Sequence, residues 1–499
     1  MMQRRDFLAA GALGMATGAL SPSLARALGM ARTEVRAAEV GPDGARVTRS
    51  LYADRMAWWR EARFGMFVHF GLYSTLGGEW KGTLVGSHEW MRNNAKIPHE
   101  EYIRVADSFN PVALDVDGIV RMAKAAGQKY IVVTTKHHEG FSLWDSPSTT
   151  YDVMATPYRR GIMRQFADAC RRHDMRLGWY YSIMDWYHPD YLPRRDWEVR
   201  DASGADFARY VAFMRAQLRE LLTGYGRIDV LWFDGQWEPT WTHPLAADLA
   251  RFCRSLQPAV LINNRIDGAP VAGTPVAGTS VAGTSIAGTP VAGTPVEGTP
   301  VEGTPVPSAG NRLGDFSTPE LEVPPRGLPG EDWESCMTMN ENWGYAKDDD
   351  HWKTPAQLVA LLVETASKGG NLLLNIGPMG DGRVPQPSVD ALAAIGAWMH
   401  VNGEAIYGTT ASLVDSPACR TTTHGRRINC FLERWVAGPL ILPGIASAPR
   451  GARLLGDRGT RIAVKQTADG TVLELPDRAP PGLMPVVQVE YDEAPRVGR

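Results

Sequence analysis

Short apolar and β-branched runs alternate with longer amphipathic segments over most of this chain. The runs are Phe64 to Phe70, Tyr130 to Thr135, Arg176 to Tyr181, Ile228 to Phe233, Ala259 to Asn263, Ser335 to Met339 and Asn371 to Ile376. Runs of this length with apolar residues at consecutive positions predict strands buried on both faces, as in a parallel sheet. The clearest helical period lies between Phe207 and Leu222, with Phe207, Tyr210, Val211, Met214, Leu218, Leu221 and Leu222 on one face. Strands in strict alternation with helices predict an α/β fold whose parallel sheet closes, or nearly closes, into a barrel.

From about residue 403 the pattern changes. Cys430 to Trp435, Pro439 to Leu442, Arg461 to Val464 and Thr471 to Leu475 are short β-prone runs between Gly and Pro turns. They predict a small antiparallel β-sandwich over 403–499, following a barrel over 48–402. The barrel region is interrupted. Between Ala272 and Val306 stand seven pentapeptides of the form A/E-G-T-P/S-V/I. Gly and Pro at this density, with only Val and Ile as larger side chains, cannot bury enough surface to offset the entropy of ordering. The segment 268–310 is therefore expected to be an inserted surface loop, and Pro in most repeats argues against a β-solenoid.

The N-terminus has a pattern of its own. Arg4-Arg5-Asp6-Phe7-Leu8 precedes an Ala/Gly-rich apolar run ending at Leu20, and Ala25-Arg26-Ala27 fits a small-residue cleavage site. Residues 1–27 are expected to be a twin-arginine-like signal peptide and 28–47 a flexible lead-in, with the mature protein periplasmic or extracellular and without a membrane anchor. Composition is otherwise that of an ordinary globular protein, 44% hydrophobic and 21% charged. A net charge of −3 gives no electrostatic case for binding nucleic acid. Sixteen Trp is a high count, which suits either a large core or aromatic walls for sugar rings. The five cysteines show no CxxC spacing, so neither a zinc site nor a disulfide framework is expected. Cys419 and Cys430 could flank a hairpin and pair, but buried free thiols are the expected state for most of the five.

Candidate chemistry gathers at the predicted C-terminal strand ends, where β/α barrels place their active sites. The strand through Leu231-Trp232-Phe233 delivers Asp234 to its mouth; at this stage an Asp capping the next helix is the alternative. The first strand ends in His69, with Glu79-Trp80 close behind. The second ends in Lys136-His137-His138-Glu139, the third in Tyr180-Tyr181-Ser182, and the fifth in Asn263-Asn264-Arg265. Together they describe a polar pocket with aromatic walls, the mixture that sugar hydroxyls and the apolar face of a sugar ring require. A metal is not expected: adjacent His137 and His138 would diverge on a strand, and neither H-x-H nor H-E-x-x-H occurs. Trp58-Trp59 is expected in the core, Asp229 as structural, Lys136 on the surface without a role, and Asp348-Asp349-Asp350 as solvated.

Four ordered motifs resemble the α-L-fucosidases of glycoside hydrolase family 29. They are Phe64-Gly65-Met66-Phe67-Val68-His69-Phe70-Gly71, Lys136-His137-His138-Glu139-Gly140-Phe141, Trp232-Phe233-Asp234-Gly235, and the run from Gly369-Gly370-Asn371 to Asn375-Ile376-Gly377-Pro378. The resemblance covers about 50–410. It implies a (β/α)8-type barrel followed by a C-terminal β-sandwich, no cofactor or metal, and exo-acting, retaining hydrolysis of terminal α-L-fucose from a fucosylated oligosaccharide or glycoconjugate. By motif, Asp234 would be the nucleophile, while His69, Glu79, Trp80, His137, His138, Tyr181, Trp232 and Arg265 would bind substrate. Asp315-Phe316-Ser317-Thr318-Pro319-Glu320 resembles the segment that carries the acid/base in one branch of the family, which nominates Glu320, with Asp315 and Glu334 as competitors. A related α-L-glycosidase (an α-L-galactosidase) and a barrel that only binds carbohydrate are the alternative readings.

Overall fold

The computed structural model describes residues 42–268, 313–457 and 460–498. The expected signal peptide and the pentapeptide block lie outside the described residues. A helix, Pro42–Ala62, begins inside the segment expected as a lead-in and runs to the first strand.

All seven expected barrel strands form. They are β1 (Phe64–Val68), β2 (Tyr130–Lys136), β3 (Arg176–Ser182), β4 (Val230–Asp234), β5 (Leu261–Ile262), β6 (Glu334–Met337) and β7 (Asn371–Ile376), in the order β5-β4-β3-β2-β1-β7-β6. Every pairing is parallel. Helices α1 (Val116–Ala125), α2 (Ile162–Arg172), α3 (Phe207–Thr223), α4 (His243–Leu256), α5 (Pro355–Ser367) and α6 (Gln386–Asn402) follow β1, β2, β3, β4, β6 and β7. Their starts are set locally. Asp115 and Asp206 accept backbone N–H groups at the heads of α1 and α3, and Thr354 with Gln357 forms a reciprocal capping box on α5.

The ring closes through a segment that the hydrophobic pattern did not mark. Residues 315–320 lie between β5 and β6: Asp315 N donates to Ile262 O (2.6 Å), Asn264 N to Phe316 O (2.8 Å), Glu334 N to Ser317 O (2.8 Å) and Cys336 N to Pro319 O (3.1 Å). Parallel bridges join Asn263 to Phe316 and Glu320 to Cys336. This eighth stave closes the ring of parallel staves and ends at Glu320.

Strand periodicity divides the side chains into two sets. Met66, Val68, Ile131, Val133, Trp179, Tyr181, Leu231, Phe233, Leu372 and Leu374 pack in the main hydrophobic core between strands and helices. Phe67, Tyr180 and Trp232, buried but absent from that core, fill the barrel interior and touch one another with ring centroids 5.0–5.9 Å apart. Below them, Glu334 is wholly buried and accepts from Trp232 Nε1 (3.1 Å) and the Tyr130 hydroxyl; burial raises its carboxyl to about 7. Lys136, expected on the surface, is fully buried in an ion pair with Asp185 (2.8 Å) and lies 4.5 Å over the Tyr181 ring. It comes near the end of β2, where a register shift at Thr134/Lys136 breaks the strand's alternation.

After α6 the chain forms β8 (Arg420–His424), β9 (Arg427–Phe431), β10 (Gly438–Pro443), β11 (Pro449–Leu454), β12 (Arg461–Thr467), β13 (Gly470–Leu475) and β14 (Val486–Tyr491), an antiparallel set in the order β8-β9-β14-β11-β12-β13-β10. β12 pairs with β11 at its start and with β13 beyond, so the sheet folds over a second core that includes Ile428, Leu442, Leu473 and Val489. Trp398 on α6 donates to Met484 O (2.9 Å), and the Thr422 hydroxyl donates to Ala405 O (2.7 Å). These bonds tie the second sheet to the barrel. All five cysteines are free and buried.

Candidate active site

Asp234, the last residue of β4, stands at the C-terminal mouth of the barrel. Its side chain points inward, as does that of Trp232 two residues earlier. It is not a helix cap: α4 starts at His243, preceded by Thr242. Its Oδ1 accepts from Arg265 Nη1 (2.9 Å) and its Oδ2 from the Tyr180 hydroxyl (2.9 Å), with His138 Nε2 3.5 Å from Oδ2. Arg265 follows β5 and is buried over the Trp232 ring at 4.8 Å. Its other terminal nitrogen, Nη2, donates to Glu320 Oε2 at 2.6 Å. Burial alone would lower the Arg265 guanidinium, but Glu320 and Asp234 outweigh it and hold the group above its ordinary value. One guanidinium therefore spans two carboxylates from different staves. Trp343 Nε1 donates to the remaining oxygen, Glu320 Oε1, at 3.1 Å.

The three histidines form the opposite wall. His69 Nδ1 is 2.8 Å from Asn375 Oδ1, so Nδ1 carries the proton and Nε2 is left as an acceptor. His138 Nδ1 is 2.6 Å from Ser182 Oγ, whose own proton goes to Met184 O (2.7 Å). His138 must therefore donate from Nδ1, leaving Nε2 bare beside Asp234. Burial lowers His69 to about 4 and drives His137 and His138 well below the usual imidazole range. All three are neutral hydrogen-bonding groups in the ordinary pH range. The expected divergence of His137 and His138 does not occur: β2 ends at Lys136, and the two rings lie 4.1 Å apart with His137 stacked on Tyr180. Gly140 makes the turn possible at φ +85, where any side chain would strike Asp185.

One ligand atom each from His137, His138 and Asp234 falls within 4.8 Å of the others, a spacing a metal could use. The donors argue against the fit. Both Asp234 oxygens are already engaged by N–H and O–H donors, and a dication there would face the Arg265 guanidinium.

Several sequence assignments change. Tyr181 lies on the outer face of β3 and donates to Gln217 Oε1 on α3 (2.8 Å); its neighbour Tyr180 faces the pocket. A strand's period of two puts adjacent residues on opposite faces, so only one of the pair could serve. Glu79 and Trp80 sit on a two-residue strand paired with Thr83–Leu84, and the partly exposed Glu79 is ion-paired with Lys347. The Glu-Trp pair at the pocket is Glu89-Trp90, ten residues later. Glu89 is buried and raised to about 7, chiefly by burial and further by Glu320 and Asp234. The Trp90 ring lies edge-on to His138 at 5.0 Å. The two stretches share the same dipeptide, and only the burial of one tells them apart. Asn375 and Trp343 also belong to this wall: the Trp343 ring is 5.1 Å from His69.

The competitors of Glu320 lie elsewhere. Asp315 is buried between Arg55 and Arg254 and accepts from Ile262 N (2.9 Å), a structural role. Glu334 lies beneath Trp232, with the indole between it and the pocket. Asp229 is paired with Arg176 and Arg227, both at 2.7 Å. Glu139 is buried and accepts from the Tyr102 hydroxyl and Leu72 N. A cleft of about 730 Å³ opens at the N-terminal strand ends, where the Asp229 cluster and backbone carbonyls already hold Arg176, Arg227 and Lys124.

A family model described as α-L-fucosidase matches residues 43–278 and 300–404. The tissue α-L-fucosidase of Mus musculus is 28% identical over 453 residues, covering 86% of this chain and 89% of its own. The plasma α-L-fucosidase of Homo sapiens is 32% identical over 371 residues, 71% of this chain and 69% of its own. Among solved structures, α-L-fucosidase isoenzyme 1 from Paenibacillus thiaminolyticus superposes with a TM-score of 0.74 at 36% identity, covering 89% of this chain and 100% of that one. A trapped covalent intermediate of a Bacteroides thetaiotaomicron α-L-fucosidase, in complex with 2-fluoro-fucosyl fluoride, gives 0.74 at 29% identity over 88% of this chain and 96% of that one. The four motifs, the closed barrel and these matches agree, and the chain belongs to the α-L-fucosidase family of glycoside hydrolases.

Proposed function

We propose that the protein is an exo-acting, retaining α-L-fucosidase that releases terminal α-L-fucose from fucosylated glycans by double displacement. The observation that carries this reading is the pair of carboxylates, Asp234 and Glu320, held by the two terminal nitrogens of Arg265. Retaining hydrolysis needs two carboxyl groups about 5–5.5 Å apart, and a shared guanidinium favours that closeness. Asp234 is the nucleophile. Its place on a strand end, with Arg265 and Tyr180 on its two oxygens, fixes the line of attack on the anomeric carbon. Glu320 is the acid that protonates the leaving oxygen and then the base that activates water. Its side chain is 37% exposed, as a group that must meet the leaving group and then water should be.

Neutral His69, His137 and His138, with Glu89, offer hydrogen bonds to the ring hydroxyls. Trp90, Trp232 and Trp343 supply apolar walls. The trapped intermediate of the Bacteroides relative supports a covalent fucosyl ester as the intermediate. The twin-arginine start and the Ala25-Arg26-Ala27 site support export of the mature enzyme. Hydrolysis of 4-nitrophenyl α-L-fucoside in the presence of EDTA by the wild type and by Asp234→Gly tests the reading. Activity in the wild type alone is the expected result; a folded Asp234→Gly enzyme with undiminished turnover would overturn it.

A further inference from the structure

The motif Asn375-Ile376-Gly377-Pro378 at the end of β7 contributes no carboxylate to the reaction. Its side chains nevertheless touch both halves of the site. Asn375 Oδ1 accepts from His69, and Asn375 Nδ2 donates to the backbone carbonyl of Trp343 at 2.7 Å. Two residues on, a Cβ on Gly377 would stand 2.8 Å from that same carbonyl oxygen and 2.9 Å from the Gly344 carbonyl carbon. Only glycine lets the 343–345 loop lie on the strand end. On the other side of the loop, a Cβ on Gly344 would meet the Tyr73 ring at 2.7 Å. The loop is thus clamped, and with it the Trp343 indole, packed against His69 and against Phe67 (5.9 Å).

The clamped indole presents its N–H to Glu320 Oε1 while Arg265 holds Oε2. Glu320 ends a stave with its side chain 37% exposed, so without a donor on Oε1 its carboxyl group could turn about the last side-chain bond. We propose that Trp343 is a positioning residue for Glu320, aiming its carboxyl group at the leaving oxygen, and that Asn375 acts on Glu320 through the Trp343 carbonyl. The proposal rests on the reading of Glu320 as the acid/base. Trp343 is then both a wall for the sugar and part of the machinery that protonates the leaving group.

Trp343→Phe separates these two duties, because it keeps an aromatic wall and removes only the N–H. The measurements are kcat and KM on a fucosylated lactose, whose leaving group needs a proton, and on 4-nitrophenyl α-L-fucoside, whose leaving group hardly does. The expected result is a kcat/KM on the fucosylated lactose lower by roughly tenfold, the kinetic worth of one hydrogen bond to a group that becomes charged as it gives up its proton. On the nitrophenyl substrate kcat/KM, which reports the first step alone and hardly calls on the acid, should fall far less, by under about threefold, and persisting inhibition by free L-fucose reports that the pocket is still formed. Equal effects on both substrates would overturn the proposal, since a wall alone has no leaving-group dependence. Glu320→Ala, assayed with both substrates and with added azide, distinguishes failure of the underlying reading. A kcat/KM loss selective for the fucosylated lactose, with azide accelerating nitrophenyl fucoside turnover and forming fucosyl azide, sustains the acid/base. If that pattern holds while Trp343→Phe is uniform, only the positioning role falls. If Glu320→Ala shows neither selectivity nor azide rescue, the acid/base reading and the positioning role fall together.

Discussion

Tyr180→Phe removes the hydroxyl that donates to Asp234 Oδ2 at 2.9 Å and leaves the ring in place between His137 and Trp232. The Arg265 contact on Oδ1 remains. A hydrogen bond to a charged group is worth about 1.5–3 kcal/mol, but the two chemical steps feel its loss differently. In the first step Asp234 begins as a full carboxylate and gives up charge as it attacks. The donor is present in both the ground and transition states, so removing it changes the first barrier little. In the second step Asp234 begins as a neutral ester and regains charge as the sugar departs. The donor strengthens along that step, and its loss should slow the step by roughly ten- to a hundredfold. The variant should therefore accumulate fucosyl-enzyme. With 4-nitrophenyl α-L-fucoside it should show a burst of nitrophenol before steady state, with kcat and KM falling together and kcat/KM little altered. A variant in which kcat/KM falls as far as kcat, without a burst, would refute the argument.

Tyr181→Phe, on the outer face of the same strand, should leave kcat and KM unchanged and cost about 1 kcal/mol of stability in urea unfolding, through loss of its bond to Gln217. A kinetic change at this position would contradict the facing of β3. Lys136→Met strands Asp185 as a buried, unpaired charge and should destabilise the fold by about 3–5 kcal/mol in the same measurement; a loss below about 1 kcal/mol would rule the pair out as a stabilising contact. Glu334, raised to about 7 by burial, contributes stability that is complete below its unfolded value near 4.5 and is lost as pH rises through 7. Glu334→Gln should therefore flatten the fall in unfolding free energy between pH 5 and 8 by about 2–3 kcal/mol, and an unaltered pH profile would contradict a protonated carboxyl in the barrel.

The hydrophobic pattern carried the barrel well and its site less evenly. Strands buried on both faces leave continuous apolar runs, so β1 to β7 were legible from residue type alone. The stave 315–320 was not, because Asp315-Phe316-Ser317-Thr318-Pro319-Glu320 is polar and its backbone is satisfied by isolated bridges to both neighbours. At the mouth, Asp234 and Arg265 were readable from their positions after apolar strands. Tyr180 and Tyr181 were not separable by type, since facing depends on a register that only the paired sheet sets. The Glu-Trp dipeptide occurs twice, and burial against the 343–345 loop singles out the copy at 89–90. Lys136 was misplaced for a related reason: charge argues for the surface until a partner, Asp185, arrives from another loop. Asn375 and Trp343 join the site through a backbone carbonyl, a contact that no residue type announces.

Asp234 as the nucleophile is the assignment on which the double-displacement chemistry depends. Incubation with 2-fluoro-fucosyl fluoride, the reagent bound in the Bacteroides relative's trapped intermediate, followed by mass spectrometry of the intact protein and of its peptides, tests this most directly. The expected result is a single fluoro-fucosyl adduct on the peptide containing Leu231-Trp232-Phe233-Asp234, carried by Asp234 and absent from Asp234→Gly. An adduct on any other carboxylate, or a labelled Asp234→Gly, would contradict it.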